Sequence, residues 1–375
     1  MFGQEIRELS ALRLLLSVEG VGSKKIASLV SKFRSPSQIL DSSVNSLAAS
    51  EGIGPLLASR INLAAKGIDV FTQTTQKLID TCHRKDIGLL TLWDDEYPYL
   101  LKNISDPPVI LYYKGALLNQ EVNPVAIVGT RTPTQYGKNQ AERMAVILAQ
   151  KNITIISGMA RGIDSIAHRG ALSAGARTLA ILGSGVDVIY PPENADLAYE
   201  ITKNGLLLSE FEPGTKPDGI NFPKRNRIIA GMSLGTIVVE SGIEGGAIHT
   251  AKLALDSGRE VFAIPGNIGV KQSEGPNYLI QNSGAKLVTS ADDVISELRI
   301  EAGEKSISSP PPEIFNLNIF EEKIISLLNK ENPVHIDSIS KLAGMSTYDA
   351  LTHLLQLEFK GAVKQLPGKN FITSF

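Results

Sequence analysis

The residues with the most evident chemistry lie in the segment NFPKRNRIIAG. It sets Phe222 beside three cations, Lys224, Arg225 and Arg227, where the intervening proline favours the first turn of a helix. Cations in that turn face the positive end of the helix macrodipole, which costs about 0.3 kcal/mol or more per charge. A bound polyanion reverses the sign of this cost, and an aromatic ring can stack on a base of a single strand. The segment therefore indicates either a single-strand site or a solvated basic turn beside a core Phe, and charge placement alone favours neither.

Three glycine loops add anion-binding potential. They read VGTRTPTQYG, SGMARGIDSIAHRGA and ESGIEGGAIHTA, and each follows an apolar run. Backbone N–H groups at a helix start can hold a phosphate, and glycine lets the backbone come close to it. These loops supply Arg131 and Arg161, and the loop before Phe222 supplies Lys216. The glycines predicted to cradle phosphate are Gly129, Gly158, Gly162, Gly245 and Gly246.

The second of these loops also carries Asp164, Ser165 and His168. Asp164 or Ser165 is a natural N-cap for the helix that follows. His168 comes four residues after Asp164 on the same helix face, which favours a structural hydrogen bond over a catalytic role.

The sequence motifs of common enzymes are incomplete or missing. GSGVDV has two of the three glycines of a dinucleotide fingerprint and does not open a helix, and no Walker A loop occurs. Cys82 is the only cysteine, and the five histidines show no metal-ligand spacing. We therefore predict a protein that is not an enzyme and has no catalytic residue, metal or cofactor.

Short apolar runs place the glycine loops in a parallel sheet. PVAIVGT, NITIISG, RTLAILGSG, GLLLSEF, GTIVVESG and REVFAIPG are rich in branched residues, and helical patterns such as KNQAERMAVILAQK separate several of them. This alternation is typical of an α/β fold whose sheet is covered on both faces. Ligands bind at the carboxyl ends of such strands, where these glycines fall.

The sequence predicts smaller domains on both sides of this sheet domain, which spans residues 86–300. Residues 1–85 are helical in period and contain two glycine turns, VEGVGSKK and EGIGPLLASR, typical of an all-α helix-hairpin-helix (SAM-like) domain. Such turns hold DNA phosphate or serve packing alone, and both interpretations stay open. Residues 301–317 form a Ser/Pro-rich linker, and residues 318–375 give three helices and a β-hairpin, the pattern of a winged helix.

Composition sets limits on partners and location. With 43% hydrophobic and 20% charged residues, the 375-residue chain can bury a sizeable core. Its formal net charge is -2, so nucleic-acid binding has to come from a local basic patch. Glu5 and Glu8 lie where a secretory signal is basic, and no apolar run reaches the roughly 18 residues that span a bilayer. We expect a cytoplasmic protein with no membrane partner.

Eight motifs resemble, in order and spacing, those of the DNA-processing protein DprA (Smf) family. They are VAIVGTR, SGMARGID, IYPPENADL, LLSEF, FPKRNRIIAG, VVES with TAKLAL, GREVFAIPG and GPNYLIQNSGAK, and they cover residues 90–300 densely. The resemblance implies an extended Rossmann-like domain that binds single-stranded DNA, and a homodimer that makes contact through residues 277–290. It also implies protection of incoming DNA and loading of the RecA recombinase during natural transformation.

The same resemblance implies roles for individual residues. Arg131 contacts phosphate, and Phe222, Arg225 and Arg227 form a stacking and charge platform. Lys224, Lys216 and Arg161 complete the predicted DNA-binding set. Which of the three cations after Phe222 faces the strand stays open.

The winged helix (DML1-like in the family) departs from the pattern of a DNA reader. Six lysines balance six acids in residues 319–375, and the presumed recognition helix carries Asp349 and Glu358 against Lys360. Helices that read DNA are basic. We expect this domain to contact protein, or to assist binding weakly, and not to read duplex sequence.

Two other functions remain as alternatives. A lysine-decarboxylase-like nucleoside monophosphate phosphoribohydrolase shares this Rossmann variant, but Glu240 in GMSLGTIVVE comes one residue late and the preceding P-G-G is absent. A shift of one residue in a strand turns the side chain to the opposite face. A nucleotide-sensing protein with a winged-helix output would instead use the glycine loops to hold a free nucleotide.

Overall fold

A computed structural model describes residues 3–118, 121–300, 319–328, 333–359, 362–366 and 368–373. The chain divides into two compact units, Met1–Lys305 and Ser306–Phe375. The predicted linker, 301–317, lies outside the described residues. No helix of the described ranges is long and apolar enough to cross a membrane.

The first unit begins with six helices that match the predicted helical domain. Gly20 and Gly52 open the two predicted turns with φ values of +88° and +72°, a left-handed conformation that glycine adopts without strain. Each turn leads into a helix capped by a second glycine, Gly22 or Gly54. The helices are α1 (Gly3–Ser17), α2 (Ser23–Phe33), α3 (Pro36–Leu40), α4 (Val44–Ala48), α5 (Pro55–Ala65) and α6 (Ile68–Lys85).

A sheet of nine strands follows, with helices between most of its strands. Its first elements are β1 (Gly88–Thr91), α7 (Tyr99–Lys102), β2 (Ile110–Gly115), β3 (Val125–Val128), α8 (Gln135–Gln150), β4 (Ile155–Ser157), α9 (Ile163–Ser173) and β5 (Thr178–Ile181). A 3-10 turn (Pro192–Asn194) then precedes α10 (Ala195–Asn204), β6 (Leu206–Ser209), α11 (Asn221–Gly231), β7 (Gly235–Val238), α12 (Gly246–Asp256), β8 (Glu260–Ala263), α13 (Lys271–Gln281), β9 (Lys286–Leu287) and α14 (Ala291–Glu297).

The strand order is β1-β2-β6-β5-β4-β3-β7-β8-β9. β6 through β9 pair in parallel in that order, whereas β1 and β2 add an antiparallel edge. Each of the six predicted apolar runs contains one of the strands β3 to β8, and the predicted α/β class is confirmed. The antiparallel edge formed by β1 and β2 was not predicted, although β2 lies in the apolar run VILYY.

The alternation of side chains along each strand explains why the core strands read as continuous apolar runs. Val125 and Ile127 of β3 pack on one face of the sheet, in a cluster that includes Met144 of α8. Ala126 and Val128 point to the other face and pack in the cluster of α11 and α12. Because both faces are covered, every position of the strand is apolar.

β3 marks the point where the strand order reverses. From β3 the chain builds β4, β5 and β6 on one side, then crosses to build β7, β8 and β9 on the other. The loops after β3 and β7 therefore diverge and leave a cleft at the carboxyl edge of the sheet.

The second unit is a small winged helix, as predicted. Ile339, Leu354 and Phe371 lie at the centre of its core. The first helix of this unit ends at Ser326, and residues 329–332 lie outside the described ranges. Its elements are α15 (Ile319–Ser326), β10 (Val334–His335), α16 (Ile336–Ala343), α17 (Thr347–Phe359), β11 (Val363–Leu366) and β12 (Asn370–Thr373).

Candidate nucleic-acid interface

The cleft at the strand-order reversal has a volume of about 810 Å³. Its walls include the turn after β3, the loop after β4, the first turn of α11 and the glycine-rich start of α12. Arg131, Ala160, Phe222, Gly246 and His249 are among the residues that line it. The cleft thus joins all three predicted glycine loops to the segment that begins at Phe222.

The mouth of the cleft carries a cluster of two aromatic rings and one cation. The guanidinium carbon of the exposed Arg131 lies 5.6 Å from the centroid of the Phe222 ring. The ring of Tyr190 lies 5.7 Å from that of Phe222, at an interplanar angle of 37°. Such a cluster offers flat faces and a positive charge at one place, which suits a base and its phosphate.

Sequence reasoning gave Tyr190 no role. It lies in IYPPENADL, where an aromatic residue beside two prolines was the available signal, and the structure shows that its side chain is exposed. Because Tyr190 and Phe222 lie far apart in the sequence, their contact was not predicted.

Arg225 is the first correction to the predicted DNA-binding set. Its side chain is only 4% exposed, and Nη1 donates hydrogen bonds to the backbone oxygens of Gly158 and Ile181. Burial lowers the pKa of Arg225 to about 10, although the Asp164 carboxylate opposes this shift. Arg225 therefore ties α11 to the ends of β4 and β5 at the floor of the cleft, and is not a surface cation.

Arg227 is the second correction. Its side chain is 18% exposed and forms ion pairs with Glu210 and with Asp106, the latter at 3.5 Å. Burial raises the pKa of Glu210, while the charge of Arg227 opposes that shift. The charge of Arg227 is thus paired with carboxylates of the protein itself. Lys224, by contrast, is exposed and forms no ion pair within the described residues, so it is the cation of this segment that reaches solvent.

The residue at which α11 begins decides which of the three cations the helix macrodipole affects. The helix begins at Asn221, so Pro223 lies in its first turn as predicted, but Arg225 and Arg227 fall in the second turn. The macrodipole effect fades beyond the first turn. The macrodipole therefore acts on Lys224 and has little effect on Arg225 and Arg227.

The loop between β6 and α11, residues 210–220, is held by the N-terminal helices. Arg13 of α1 donates to both carboxylate oxygens of Glu212, at 2.9 and 3.1 Å. Lys85 at the end of α6 pairs with Asp187 at 2.5 Å, and Asp187 accepts a 2.8 Å hydrogen bond from the amide of Gly214. These contacts brace the first half of the loop. Lys216 follows them and is exposed.

Arg161 lies beside the aromatic cluster, but its positive charge is paired with a carboxylate. It forms an ion pair with Glu193, and both side chains are exposed. Together with Arg131, Tyr190 and Phe222 it lines a small extension of the cleft. A strand that approached Arg161 would meet the carboxylate of Glu193 as well.

Most of the predicted phosphate-cradling glycines serve the packing of the protein itself. A β-carbon at Gly158 would lie 2.6 Å from Arg225 and from Asp164, and one at Gly129 would lie 2.5 Å from Ile163. Gly162 has a φ of +76° and sits against the Thr130 carbonyl, and Gly245 sits against the Ser241 hydroxyl. Gly246 alone of the five has open space beside it, at the first residue of α12 on the cleft. The prediction of close approach to a phosphate is therefore retained for Gly246 and corrected for the others.

Asp164 and His168 turn out to be structural. α9 begins at Ile163 with Gly162 as its N-cap, so the predicted capping by Asp164 or Ser165 is wrong. His168 is fully buried, and its Nδ1 lies 2.7 Å from the Thr178 hydroxyl, which agrees with the predicted hydrogen bond. Burial lowers the pKa of His168 to about 3, so the ring is neutral at physiological pH.

Glu240 has a structural partner as well. Its carboxylate accepts hydrogen bonds from the backbone N–H of Thr134 at 2.9 Å and from the Thr134 hydroxyl at 2.5 Å, at the start of α8. A glutamate used in this way is not free to attack or protonate a glycosidic bond. Among the described residues, no group of three or more His, Cys, Asp and Glu could hold a metal ion.

Comparison with known proteins identifies the family. A family model described as DNA recombination-mediator protein A matches residues 88–299, which is more than half of the chain. The chain belongs to the DprA (Smf) family. The DprA winged helix domain matches residues 308–369, and a SAM-like helix-hairpin-helix tandem matches residues 12–66.

Relatives and solved structures agree with this membership. Protein Smf of Synechocystis is 33% identical across 94% of this chain and 96% of its own length. DprA of Streptococcus pneumoniae has a solved structure that matches with a TM-score of 0.62 at 34% identity, covering 78% of this chain and 97% of that one. The protein from Helicobacter pylori, whose structure was described for its single-stranded DNA binding mode, matches with a TM-score of 0.52 at 30% identity, covering 58% and 97%.

Proposed function

We propose that this protein binds single-stranded DNA in the cleft between the loops after β3 and β7. The observation that carries the proposal is the cluster at the cleft mouth, where Arg131 and Tyr190 flank Phe222. An unpaired base can stack on these rings, whereas a base inside a duplex is hidden by its neighbours. The H. pylori relative described for single-stranded DNA binding supports the same ligand class.

The charges around the cleft fit a phosphate backbone beside such a base. Arg131 is exposed at its mouth, Lys224 is exposed in the first turn of α11, and the backbone of Gly246 opens α12 toward the cleft. Backbone N–H groups and the macrodipole at a helix start favour an anion. The formal net charge of -2 for the whole chain makes this local patch the source of the attraction.

One titration tests the proposal. A labelled poly-dT strand of about 20 nucleotides and a duplex of equal length are titrated at two salt concentrations. We expect the single strand to bind more tightly, and Arg131→Ala to weaken it and to lower the salt slope by about 0.7, the share of one phosphate contact on a single strand. Arg143→Ala, which removes an exposed arginine farther along α8, is the matched control. Equal binding of duplex, or equal effects of the two variants, would reject the site.

The same titration separates the alternatives. A nucleotide sensor would bind a free nucleoside monophosphate tightly and the strand weakly. A phosphoribohydrolase would release free base from the nucleoside monophosphate. We propose that the protein is not an enzyme, because the Glu240 carboxylate that such a hydrolase would need is held by Thr134.

We further propose that the protein acts in the cytoplasm as a homodimer that protects incoming DNA and loads RecA during natural transformation. The family description as a recombination mediator supports the loading role. For the dimer, segment 277–290 ends the sheet with the two-residue strand β9 and exposes Tyr278 and Leu287. Light scattering tests this contact: Leu287→Asp should yield a monomer, and a variant that remains dimeric would exclude the segment.

The surface of the winged helix supports the expected protein contact. Its helix α17 exposes Tyr348, at 80%, together with Leu351 and Leu355, three and seven residues farther along the same face. Asp349 gives the first turn of this helix a negative charge, which opposes DNA phosphate. Deletion of residues 306–375 should leave single-strand affinity within tenfold of the full chain, and a greater loss would contradict this role.

A further inference from the structure

A second cavity, of about 510 Å³, opens at the same carboxyl edge of the sheet. The ring of Tyr136, the carboxylate of Glu240, and Asn267, Val270 and Ser273 are among the residues that line it. The predicted DNA-binding set contains none of these residues. We call it the Tyr136 cavity.

The turn after β3 separates this cavity from the cleft. Both ends of that turn are bound to Glu240, since the amide of Thr130 donates to its backbone oxygen at 2.7 Å and the amide of Thr134 to its carboxylate at 2.9 Å. Arg131 faces the cleft, and Tyr136 follows five residues later. Even a fully extended chain would place the two no more than about 18 Å apart, a distance that a strand of a few nucleotides can span.

The ring of Tyr136 is both accessible and fixed. It is 44% exposed, and its hydroxyl donates a 2.8 Å hydrogen bond to the backbone oxygen of Pro265 at the end of β8. Because its backbone lies in α8 and its hydroxyl is hydrogen-bonded, the Tyr136 ring loses little conformational freedom when a base stacks on it. Such rigid aromatic faces are what proteins use to hold unpaired bases.

The charge of the cavity is opposite to that of the cleft. None of the described residues that line it is Lys, Arg or His, and its charged group is the buried carboxylate of Glu240. A phosphate is unfavourable beside that carboxylate, whereas a neutral ring with N–H donors is favourable. Thr134 uses one acceptor site on each carboxylate oxygen, and an ionised carboxylate has about four such sites.

We propose that the Tyr136 cavity receives a second nucleobase of the bound single strand, with the intervening phosphate on Arg131 and the base edge toward Glu240. The proposal rests on the proposed function of the neighbouring cleft. Because Glu240 and Asn267 meet the base edge, the cavity favours a base with an exocyclic amino group, such as cytosine or adenine, over thymine.

The experiment measures binding of a labelled mononucleotide and of an oligonucleotide of about 12 residues by fluorescence anisotropy. We expect Tyr136→Ala to weaken the longer strand by about fivefold or more, as the loss of one stacked base predicts, and to leave the mononucleotide, which fills the cleft alone, within about twofold. Tyr136→Phe keeps the ring and should stay within about threefold of the parent protein for both lengths. Tyr199→Ala, which removes another exposed tyrosine on α10, is the matched control and should change neither.

A spectroscopic readout separates stacking from a general structural effect. A single 2-aminopurine is moved along the longer strand, since its fluorescence is quenched by stacking. Phe222→Ala should release the quenching at one position, and Tyr136→Ala at a different one. If Tyr136→Ala fails to fold, Tyr136→Leu, which keeps apolar volume without a ring, takes its place in the same scan.

The outcomes distinguish this proposal from the function on which it rests. Loss at the longer length with release at a second position supports the second base site. If Phe222→Ala weakens binding but neither Tyr136→Ala nor Tyr136→Leu does, or if the loss is equal at both lengths, the second site is overturned and the cleft stands. If the parent protein does not bind single strands, both proposals fail together.

Discussion

The neighbouring cations Lys224 and Arg225 give opposite predictions, because one is exposed and the other buried. Arg225→Met removes the buried charge while it keeps most of the volume. Asp164 then remains buried without its cation, and the backbone oxygens of Gly158 and Ile181 lose their donor. Leaving these two buried acceptors without a donor costs about 1–3 kcal/mol each. For the unit Met1–Lys305, in which each kcal/mol shifts the midpoint by roughly 1.6 °C, we expect the melting temperature to fall by about 3–10 °C.

The pH dependence of this loss gives an internal check. Burial raises the pKa of Asp164, and the charge of Arg225 opposes that shift in the parent protein. Without Arg225 the folded-state pKa rises further above its unfolded value. Stability from the protonated carboxyl is then present at low pH and is lost as the pH rises through the folded pKa. The deficit of Arg225→Met should thus be smaller at pH 5 than at pH 8, and Asp164→Asn in the same chain should remove this difference.

The assay is thermal denaturation at both pH values, with single-strand titration in parallel. Lys224→Met is the matched control: as an exposed change it should alter stability by no more than about 0.5 kcal/mol, while the salt slope of single-strand binding falls by about 0.7. The reasoning is refuted if Arg225→Met melts within about 2 °C of the parent protein yet loses single-strand affinity, because Arg225 would then contact the strand directly.

Three further predictions concern stacking, packing and the braced loop. Phe222→Ala should weaken single-strand binding by about 5- to 150-fold in anisotropy titrations without a change in salt slope, and Phe222→Trp should restore it; a changed slope would mean that a phosphate contact was lost too. Gly158→Ala should lower the melting temperature because its β-carbon meets Arg225 and Asp164, whereas Gly246→Ala should leave it within about 2 °C, and equal effects would contradict the assigned packing. Arg13→Ala should speed hydrogen exchange at the Gly214 amide and leave the amides of β3 unchanged, since Glu212 loses its anchor on α1; unchanged exchange at Gly214 would show that Asp187 alone holds the loop.

The fold was largely readable from the sequence because its determinants are local. The run VAIV is apolar at every position since both faces of β3 are covered, and the switch to helical periodicity after it is visible within a few residues. The glycine turns of the N-terminal helices were equally clear, as Gly20 and Gly52 adopt φ values that other residues avoid. The antiparallel strands β1 and β2 were missed, although VILYY at β2 is as apolar as the runs of the core strands.

The candidate site was readable only in part. Arg131 and Phe222 were predicted from residue type and position, and the structure places their side chains 5.6 Å apart on the cleft. Tyr190 and Tyr136 were not assigned, because nothing local to either residue shows what its ring faces. Four of the five predicted phosphate glycines are required by contacts with the protein's own atoms, and a sequence does not distinguish these from contacts with a ligand.

The sequence by itself determined that the segment after Phe222 is a helix with three cations at its start. Only the tertiary structure decided where each cation goes. Successive residues on a helix point about 100° apart, so Lys224 faces solvent while Arg225 enters the core. The partners that receive Arg225 are 67 and 44 residues away along the chain, at the ends of two parallel strands. Their position is set by the packing of the whole sheet, and a local pattern contains no record of it.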